Sequence, residues 1–374
     1  MRIGVLGGGQ LGRMLALAGY QLGLEFVFYD RNPEACVAGL GTLVIGEFDD
    51  KTRLAAFAQQ VDVVTIEFES IPLVAMEYVA QFAPVYPGPL AVSAAQDRLD
   101  EKQLFKSLGI PTPEFYAADD AESLADIAKH HNDTMVVKSR RFGYDGKGQL
   151  LLESSDDVAK VWAALGGVPL IVEQRMQFSR EVSIIAVRNS SGETGFYPLT
   201  KNLHKQGILR RSQVSLHDPL QSKAEEYARC VMKKLNYIGV LGFEFFDCDG
   251  RLVANEIAPR VHNSGHWTIE GAVTSQFENH LRAILDWPLG DTSVRASCVM
   301  HNIIGEQPDI KMLLQVPDSH VHYYGKAPLP GRKLGHITLW GSTVQNAMAV
   351  EDILNGHLES ELLTTVVQRR RSAI

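Results

Sequence analysis

From Met1 to Pro89, short apolar runs alternate with glycine or proline breaks in the rhythm of β/α units. Arg2 to Leu6 reads as a buried strand, Gly7-Gly8-Gly9-Gln10-Leu11-Gly12 as a glycine turn, Arg13 to Leu22 as an apolar-periodic helix and Glu25 to Asp30 as a second strand. Val61 to Glu67 is a further strand, and Val85-Tyr86-Pro87-Gly88-Pro89 breaks the chain. The pattern turns helical from Ala91 through Arg98, Lys102 and Phe105 to Gly109, and Ile110-Pro111-Thr112-Pro113 follows as a rigid linker. A first domain boundary is expected near Arg98.

Residues 114–200 read as a small α+β lobe, with strands over Thr134–Ser139, Leu170–Gln174 and Val182–Val187. Asn202 to Arg211 is expected to be a polar, basic connection, and Ala224 to Leu235 an amphipathic helix. Gly271 to Leu285 is a further helix, with Glu278 and His280 in structural roles. Beyond Pro288, strands near 298–304, 320–324 and 336–340 make a smaller, β-rich region. The expected organisation is multidomain, α/β then α+β: residues 1–98, then 99–290 with a flap lobe at about 114–200, then 291–374.

Between these regions, Gly239 to Ala258 reads as two apolar strands joined at Asp249-Gly250, a pair suited to the positive φ of a tight turn. Each strand carries one acid in an apolar setting, Glu244 between Phe243 and Phe245, and Glu256 between Asn255 and Ile257. A two-residue loop would set Glu244 opposite Asn255 and turn Glu256 to the other face. A three-residue loop ending at Gly250 would make the two acids diagonal neighbours on one face, roughly 7–8 Å apart at the backbone. In that arrangement they suit Mg²⁺, which takes oxygen ligands from one or two carboxylates and substrate phosphates. The bland alternative is a pair of acids facing solvent or basic partners. The polar run Arg260-Val261-His262-Asn263-Ser264-Gly265-His266-Trp267 directly after the second strand favours a functional reading.

Composition narrows the class. The chain has 374 residues, 45% hydrophobic and 21% charged, with a formal net charge of −8 and a pI near 5.9. This is globular composition, long enough for two or three domains, and its acidity argues against a general nucleic-acid or membrane-surface role. Cys36, Cys230, Cys248 and Cys298 lie far apart without metal or disulfide spacing, so a reducing cytoplasm is expected. Glycines interrupt the N-terminal apolar run before a signal-peptide core forms, and no run approaches the ~20 residues of a membrane span.

Several loops carry candidate chemistry. The first glycine turn formally matches a dinucleotide fingerprint, with Asp30 near the ribose-binding offset. It serves equally for another polar ligand or as a bare turn. Glu67 ends a strand where ligands of open α/β sheets bind. Phe142 to Gln149 places three glycines between two strands, with lysines at Lys138 and Lys147. It is either a flap over phosphates or an ordinary hairpin loop. Lys326, Arg332 and Lys333 gather on one loop of an acidic chain, as a phosphate clamp or a solvated turn.

The ordered series Arg98, Lys138, Gly143-Tyr144-Asp145-Gly146-Lys147-Gly148-Gln149, Glu173-Gln174, Glu181, Glu244, Asn255-Glu256 resembles the ATP-grasp ligases. With Gly8 to Gly12, Asn255 to Trp267 and Pro330 to His336, the resemblance narrows to the 5-(carboxyamino)imidazole ribonucleotide synthases of purine biosynthesis and covers nearly the whole chain. It implies an ATP-grasp fold with an N-terminal Rossmann-like domain and a small C-terminal β-rich region. It also implies ATP-dependent carboxylation of 5-aminoimidazole ribonucleotide by bicarbonate, with Mg²⁺ as cofactor and a homodimer as the working form. By position, ATP would be held by Arg98, Lys138, residues 143–149, Glu173, Gln174, Arg175, Met176, Glu181, His204, Asn255 and Glu256, and the metal by Glu244 and Glu256. Tyr144, Arg260, His262 and Lys326 would form the catalytic group, with His262 orienting bicarbonate or accepting a proton from the amine. Gln10, Leu11, Glu67, Asn263, Ser264, Lys326, Arg332 and Lys333 would hold the ribonucleotide. The competing readings are another ATP-grasp enzyme, such as a formate-dependent glycinamide ribonucleotide transformylase, an oxidoreductase built on the first glycine turn, and a non-catalytic ATP-binding regulator.

Overall fold

A computed structural model describes residues 1–374 apart from 132, 144–145, 154–156, 342–343 and 357–374. Four short strands, β1 (Arg2–Leu6), β2 (Glu25–Asp30), β3 (Thr42–Ile45) and β4 (Val63–Ile66), form a parallel sheet in the order β3-β2-β1-β4. Helices α1 (Gln10–Tyr20), α2 (Lys51–Ala58) and α3 (Leu73–Val79) accompany them. The first helix begins at Gln10, ahead of the expected Arg13, because Gly9 is already its N-cap and its carbonyl accepts from Arg13 N at 3.1 Å.

The helical stretch after Pro89 is two helices, α4 (Pro89–Gln96) and α5 (Arg98–Ser107). Between them Asp97 leaves helical geometry at φ −119°, ψ 114°, and its carboxylate accepts from Leu99 N. The same carboxylate holds Arg140 at 2.9 Å and Arg141 at 3.2 Å, fixing the start of α5 against the next lobe.

That lobe is a four-stranded sheet, β5 (Phe115–Ala118), β6 (Met135–Ser139), β7 (Gln149–Leu152) and β8 (Leu170–Gln174), in the order β5-β8-β6-β7, with α6 (Ala121–His130) and α7 (Val158–Ala164). The lobe expected over 114–200 is therefore shorter. The described strands after Gln174 join a nine-stranded sheet of β9 (Arg180–Arg188), β10 (Thr194–Phe196), β11 (Thr200–Lys205), β12 (Ile208–Val214), β13 (Gly239–Cys248), β14 (Arg251–Ala258), β15 (Cys298–Ile304), β16 (Ser319–Tyr323) and β17 (Lys333–Trp340). Its order is β14-β13-β9-β11-β12-β15-β17-β16, with β10 on β9. The stretch from Asn202 to Arg211, expected to be a connection, is a hairpin turning at Gln206 and Gly207, both at positive φ. The C-terminal strands extend the same sheet through the antiparallel β12–β15 pair.

Helix α8 (Gln221–Lys234) packs on this sheet. The helix expected over Gly271 to Leu285 starts later, as α10 (Gln276–Ile284), because Ser275 caps it through Glu278 N, and the short α9 (Thr268–Gly271) precedes it. Two further helices, α11 (Ile310–Leu314) and α12 (Val344–Leu354), cover the C-terminal strands. His280 is structural, as expected: it is buried, Nδ1 accepts from Val240 N at 3.0 Å, and Nε2 meets Thr65 Oγ1 at 2.7 Å. One apolar core runs from Leu11, Met14 and Leu15 of α1 to Trp267, Phe277 and Leu281, so the first domain is fixed against the nine-stranded sheet. No helix among the described residues is long and apolar enough to cross a membrane.

Candidate active site

Of the two loop lengths open to the β13–β14 hairpin, the structure has the two-residue one. Asp249 and Gly250 alone make the turn, at φ 54° and 82°, and Cys248 pairs with Arg251. Carried along unbroken, that register would turn Glu256 away from Glu244. Instead the ladder shifts between Glu244 and Phe245. Asn255 becomes the extra residue of a bulge, and Glu244 stands directly opposite Glu256. Both acids line a cleft of about 1230 Å³ bounded by all three regions of the chain.

Their electrostatics are unequal. Burial pushes Glu244 up to about 7, with Glu256 and Glu181 adding to the rise and His204 and Lys333 opposing it. Burial acts on Glu256 in the same sense, yet Arg98, with Nη1 at 2.8 Å from Oε2, brings it down to about 2. Two facing carboxylates, one of them reluctant to ionise, are a donor set that a divalent cation would relieve. Among the described residues, no group of three or more His, Cys, Asp or Glu forms a metal site by itself. The donor set therefore suits an ion that completes its shell with water and phosphate oxygens.

One side of the cleft carries the residues expected to hold a nucleotide. Lys138 of β6 is paired with Glu173 of β8 at 2.8 Å, and Glu173 is buried. Gln174 at the end of β8, with Arg175 and Met176 after it, continues along the wall. His204 Nδ1 meets Glu181 Oε2 at 2.7 Å across β11 and β9. Burial disfavours the charged imidazole, but that carboxylate, together with Glu244, leaves its pKa raised. Of the glycine stretch, residues 146–148 form a turn, and its described residues border this side. Gly143 O accepts from Arg98 Nη2 at 3.2 Å, Ser139 N donates to Gly148 O at 2.8 Å, and Lys147 and Gln149 line the wall. Gly146, at φ 75°, rests on the β11–β12 turn, where a Cβ would come within 2.9 Å of Gly207 Cα. Tyr144 and Asp145 lie outside the described residues.

The opposite side joins the first domain to the C-terminal strands. Glu67 is buried behind the glycine turn and accepts from Leu11 N at 3.2 Å; a Cβ on Gly9 would overlap its Oε1. Asp30, which stands near the ribose-binding offset in sequence, holds the turn, accepting from Gly8 N at 2.7 Å and Asn32 N at 2.8 Å. Lys326 Nζ donates to Gln10 Oε1, and Arg332 and Lys333 line the wall nearby. Arg260 is ion-paired with Glu69, a partner that sequence reasoning passed over although Glu69 stands at the same strand end as Glu67.

His262 lies between the two sides. Its Nδ1 caps a short turn and meets Ser264 N at 3.4 Å and Ser264 Oγ at 2.9 Å, while Nε2 is 3.5 Å from Glu244 Oε1. Burial lowers its pKa to about 3, with Arg260 contributing, so the ring is neutral. An amide donor on Nδ1 leaves the proton on Nε2, facing the acids. Asn263 reaches the cleft but is locked to Asn302 by bonds of 3.0 and 2.7 Å. Ser264 does not reach it. That residue is fully buried and accepts from Ser183 Oγ at 2.7 Å, in a hydroxyl network with Thr200, Asn202 and Ser212. Its contribution is to hold His262.

A small antiparallel sheet facing a larger one, a glycine turn between them and paired acids on a hairpin are the architecture of an ATP-grasp enzyme. Residues 103–277 match the ATP-grasp domain, 1–96 the ribonucleotide synthetase preATP-grasp domain and 298–349 the phosphoribosylaminoimidazole carboxylase C-terminal domain. The chain belongs to the family of N5-carboxyaminoimidazole ribonucleotide synthases. It is 52% identical to the Pseudomonas aeruginosa member over 342 residues, covering 91% of this chain and 94% of that one. The crystal structure of the Thermus thermophilus synthetase is similar at 48% identity and a TM-score of 0.89, over 94% of this chain and 98% of that one. The Aspergillus clavatus synthase in complex with ADP and 5-aminoimidazole ribonucleotide is similar at 31% identity and a TM-score of 0.86, over 98% of both chains.

Proposed function

We propose that the chain converts ATP, 5-aminoimidazole ribonucleotide and bicarbonate into ADP, phosphate and the N-carboxylated ribonucleotide. The observation that carries this reading is the opposition of Glu244 and Glu256 in a cleft lined by residues of the glycine stretch on one side and a basic loop on the other. Bicarbonate is a poor electrophile, so its hydroxyl must first be made a leaving group. Attack of a bicarbonate oxygen on the γ-phosphorus breaks the bond to ADP and gives carboxyphosphate. The amine then takes the carboxyl carbon, directly or as released CO₂, and phosphate leaves. Such a transfer needs positioning and charge rather than a protein nucleophile.

Glu244 and Glu256 would hold Mg²⁺, which when bound neutralises phosphate charge. Arg98, Lys138, Lys147 and the amides of the glycine turn would hold the triphosphate. Glu173, Gln174, Arg175, Met176, Glu181, His204 and Asn255 would surround the nucleoside side. Neutral His262 is a donor through Nε2–H and, with Arg260 and Lys326, would orient bicarbonate and bear the charge that develops on it. This favours the orienting role over that of a base for the amine. Lys326, Arg332 and Lys333, with Gln10, Leu11, Glu67 and Asn263, would seat the ribonucleotide remote from ATP. Excluding water protects the short-lived intermediate, a role for the glycine turn closing on Gly207. Four free cysteines suit a reducing compartment such as the cytoplasm. A second copy of the chain is the expected partner, which sedimentation would check.

The deciding experiment is ADP release with each substrate omitted in turn. Release that requires both aminoimidazole ribonucleotide and bicarbonate supports the proposal. Stimulation by formate and glycinamide ribonucleotide instead would overturn it.

A further inference from the structure

Helix α5 meets the bulge in β14 with two adjacent side chains. Lys102, 1% exposed, sends Nζ to the carbonyl of Ala254 at 3.3 Å and to that of Asn255 at 2.5 Å. In an unbroken strand successive carbonyls point to opposite sides. Two of them on one ammonium reflect the extra residue at Asn255. Glu101 Oε1 accepts from Ile257 N at 2.7 Å, and Pro111 O accepts from Ala254 N at 2.7 Å. Because β14 is the edge strand, these outward groups have no neighbouring strand, and the segment from α5 to Pro111 takes its place.

Lys102 also faces Glu173 Oε1, but at 3.8 Å, farther than either carbonyl. Glu173 in turn is bound to Lys138 at 2.8 Å. Contacts therefore run from Lys138 through Glu173 and Lys102 to the bulge that sets the face of Glu256. Burial pushes the Glu101 carboxyl up to about 8; Lys102 opposes the rise and Glu256 adds to it. A neutral acid at that position still accepts from Ile257 N.

We propose that Glu101 and Lys102 are positioning residues that hold the bulge at Asn255, keep Glu256 opposite Glu244 and thereby set the affinity for the divalent ion. The inference rests on the assignment of the two facing acids as metal ligands. Residues that orient metal ligands change metal affinity or activity by about 10- to 100-fold when removed.

The test is divalent-ion binding without turnover, read as Mn²⁺ affinity by water proton relaxation in the presence of a non-hydrolysable ATP analogue, alongside ADP release titrated with Mg²⁺ at saturating ATP and ribonucleotide, with circular dichroism to confirm folding. Lys102→Met is expected to weaken Mn²⁺ binding and to raise the half-saturating Mg²⁺ concentration about 10-fold or more. The KM for ribonucleotide should stay within about twofold of its original value. Glu101→Leu should act alike, whereas Glu101→Gln, which keeps an acceptor for Ile257 N, should restore the original Mg²⁺ dependence. A folded Lys102→Met protein with unchanged Mg²⁺ dependence, or with kcat alone lowered, overturns the proposal. If Lys102→Met does not fold, Glu101→Leu decides by the same criteria. Loss of folding in both also overturns it, since α5 would then support the domain at large. Glu244→Gln in the same assay separates the two levels: if it shifts the Mg²⁺ dependence and Lys102→Met does not, only the positioning role fails. If Glu244→Gln shifts nothing, the metal assignment fails first.

Discussion

Arg98 and Glu256, 158 positions apart, share a 2.8 Å ion pair, and that pair decides which of two facing carboxylates stays ionised. Without it Glu256 would be subject to the burial that lifts Glu244. Arg98→Met is therefore expected to raise the pKa of Glu256 and move the acid limb of kcat to higher pH. It should also raise the KM for ATP, since the bond to Gly143 O is lost with it. An acid limb that does not move would separate Arg98 from the acid pair.

Glu244→Gln and Glu256→Gln should each lower turnover by about 100-fold or more, the scale of the charge stabilisation a metal supplies, with little change in the circular dichroism spectrum. Turnover within a few-fold of the unaltered chain in either variant would remove that residue from the metal site.

Glu244 makes a second, sign-specific prediction. Its folded pKa is raised from 4.5 to about 7, so the folded state holds this proton more tightly than the unfolded chain. The resulting stabilisation is complete below about 4.5 and is lost as pH rises through about 7. In metal-free protein, Tm should fall relative to Glu244→Gln across that window, and Mg²⁺ with ATP should narrow the difference. Parallel Tm profiles for the two proteins would contradict the raised pKa.

Lys326→Ala removes one ammonium from the side of the cleft that faces Gln10. The KM for ribonucleotide should rise about 10- to 100-fold, the range of one charge-assisted hydrogen bond, with a smaller effect on the KM for ATP. Equal effects on both substrates would place Lys326 in the chemistry common to them.

Much of this cleft could be read from the chain because its parts are local. The glycine stretch, the acid in each strand of a hairpin and the cations between 326 and 333 are visible without knowing what lies across from them. The register of the hairpin was not visible. Asp249-Gly250 is a two-residue turn, and nothing in Ala254-Asn255-Glu256 marks a bulge, because its partners lie on α5, more than 150 residues earlier. The 202–211 stretch hid its strands for a related reason. Its polar side chains answer one another within the sheet, as Asn202 does with Ser183 and Ser212, so the apolar alternation that marks a strand is missing. Ser264 reads the same in sequence whether its hydroxyl meets a ligand or other buried side chains.

The touch between Gly146 and Gly207 joins two sheets at a point where neither residue has a side chain. Backbone against backbone, it is indifferent to salt and to protonation, and it limits how far the two loops can approach. An alanine at 146 would act as a doorstop, admitting water to the nucleotide side. The signature to look for is ATP hydrolysis uncoupled from product, with nucleotide release made faster rather than slower.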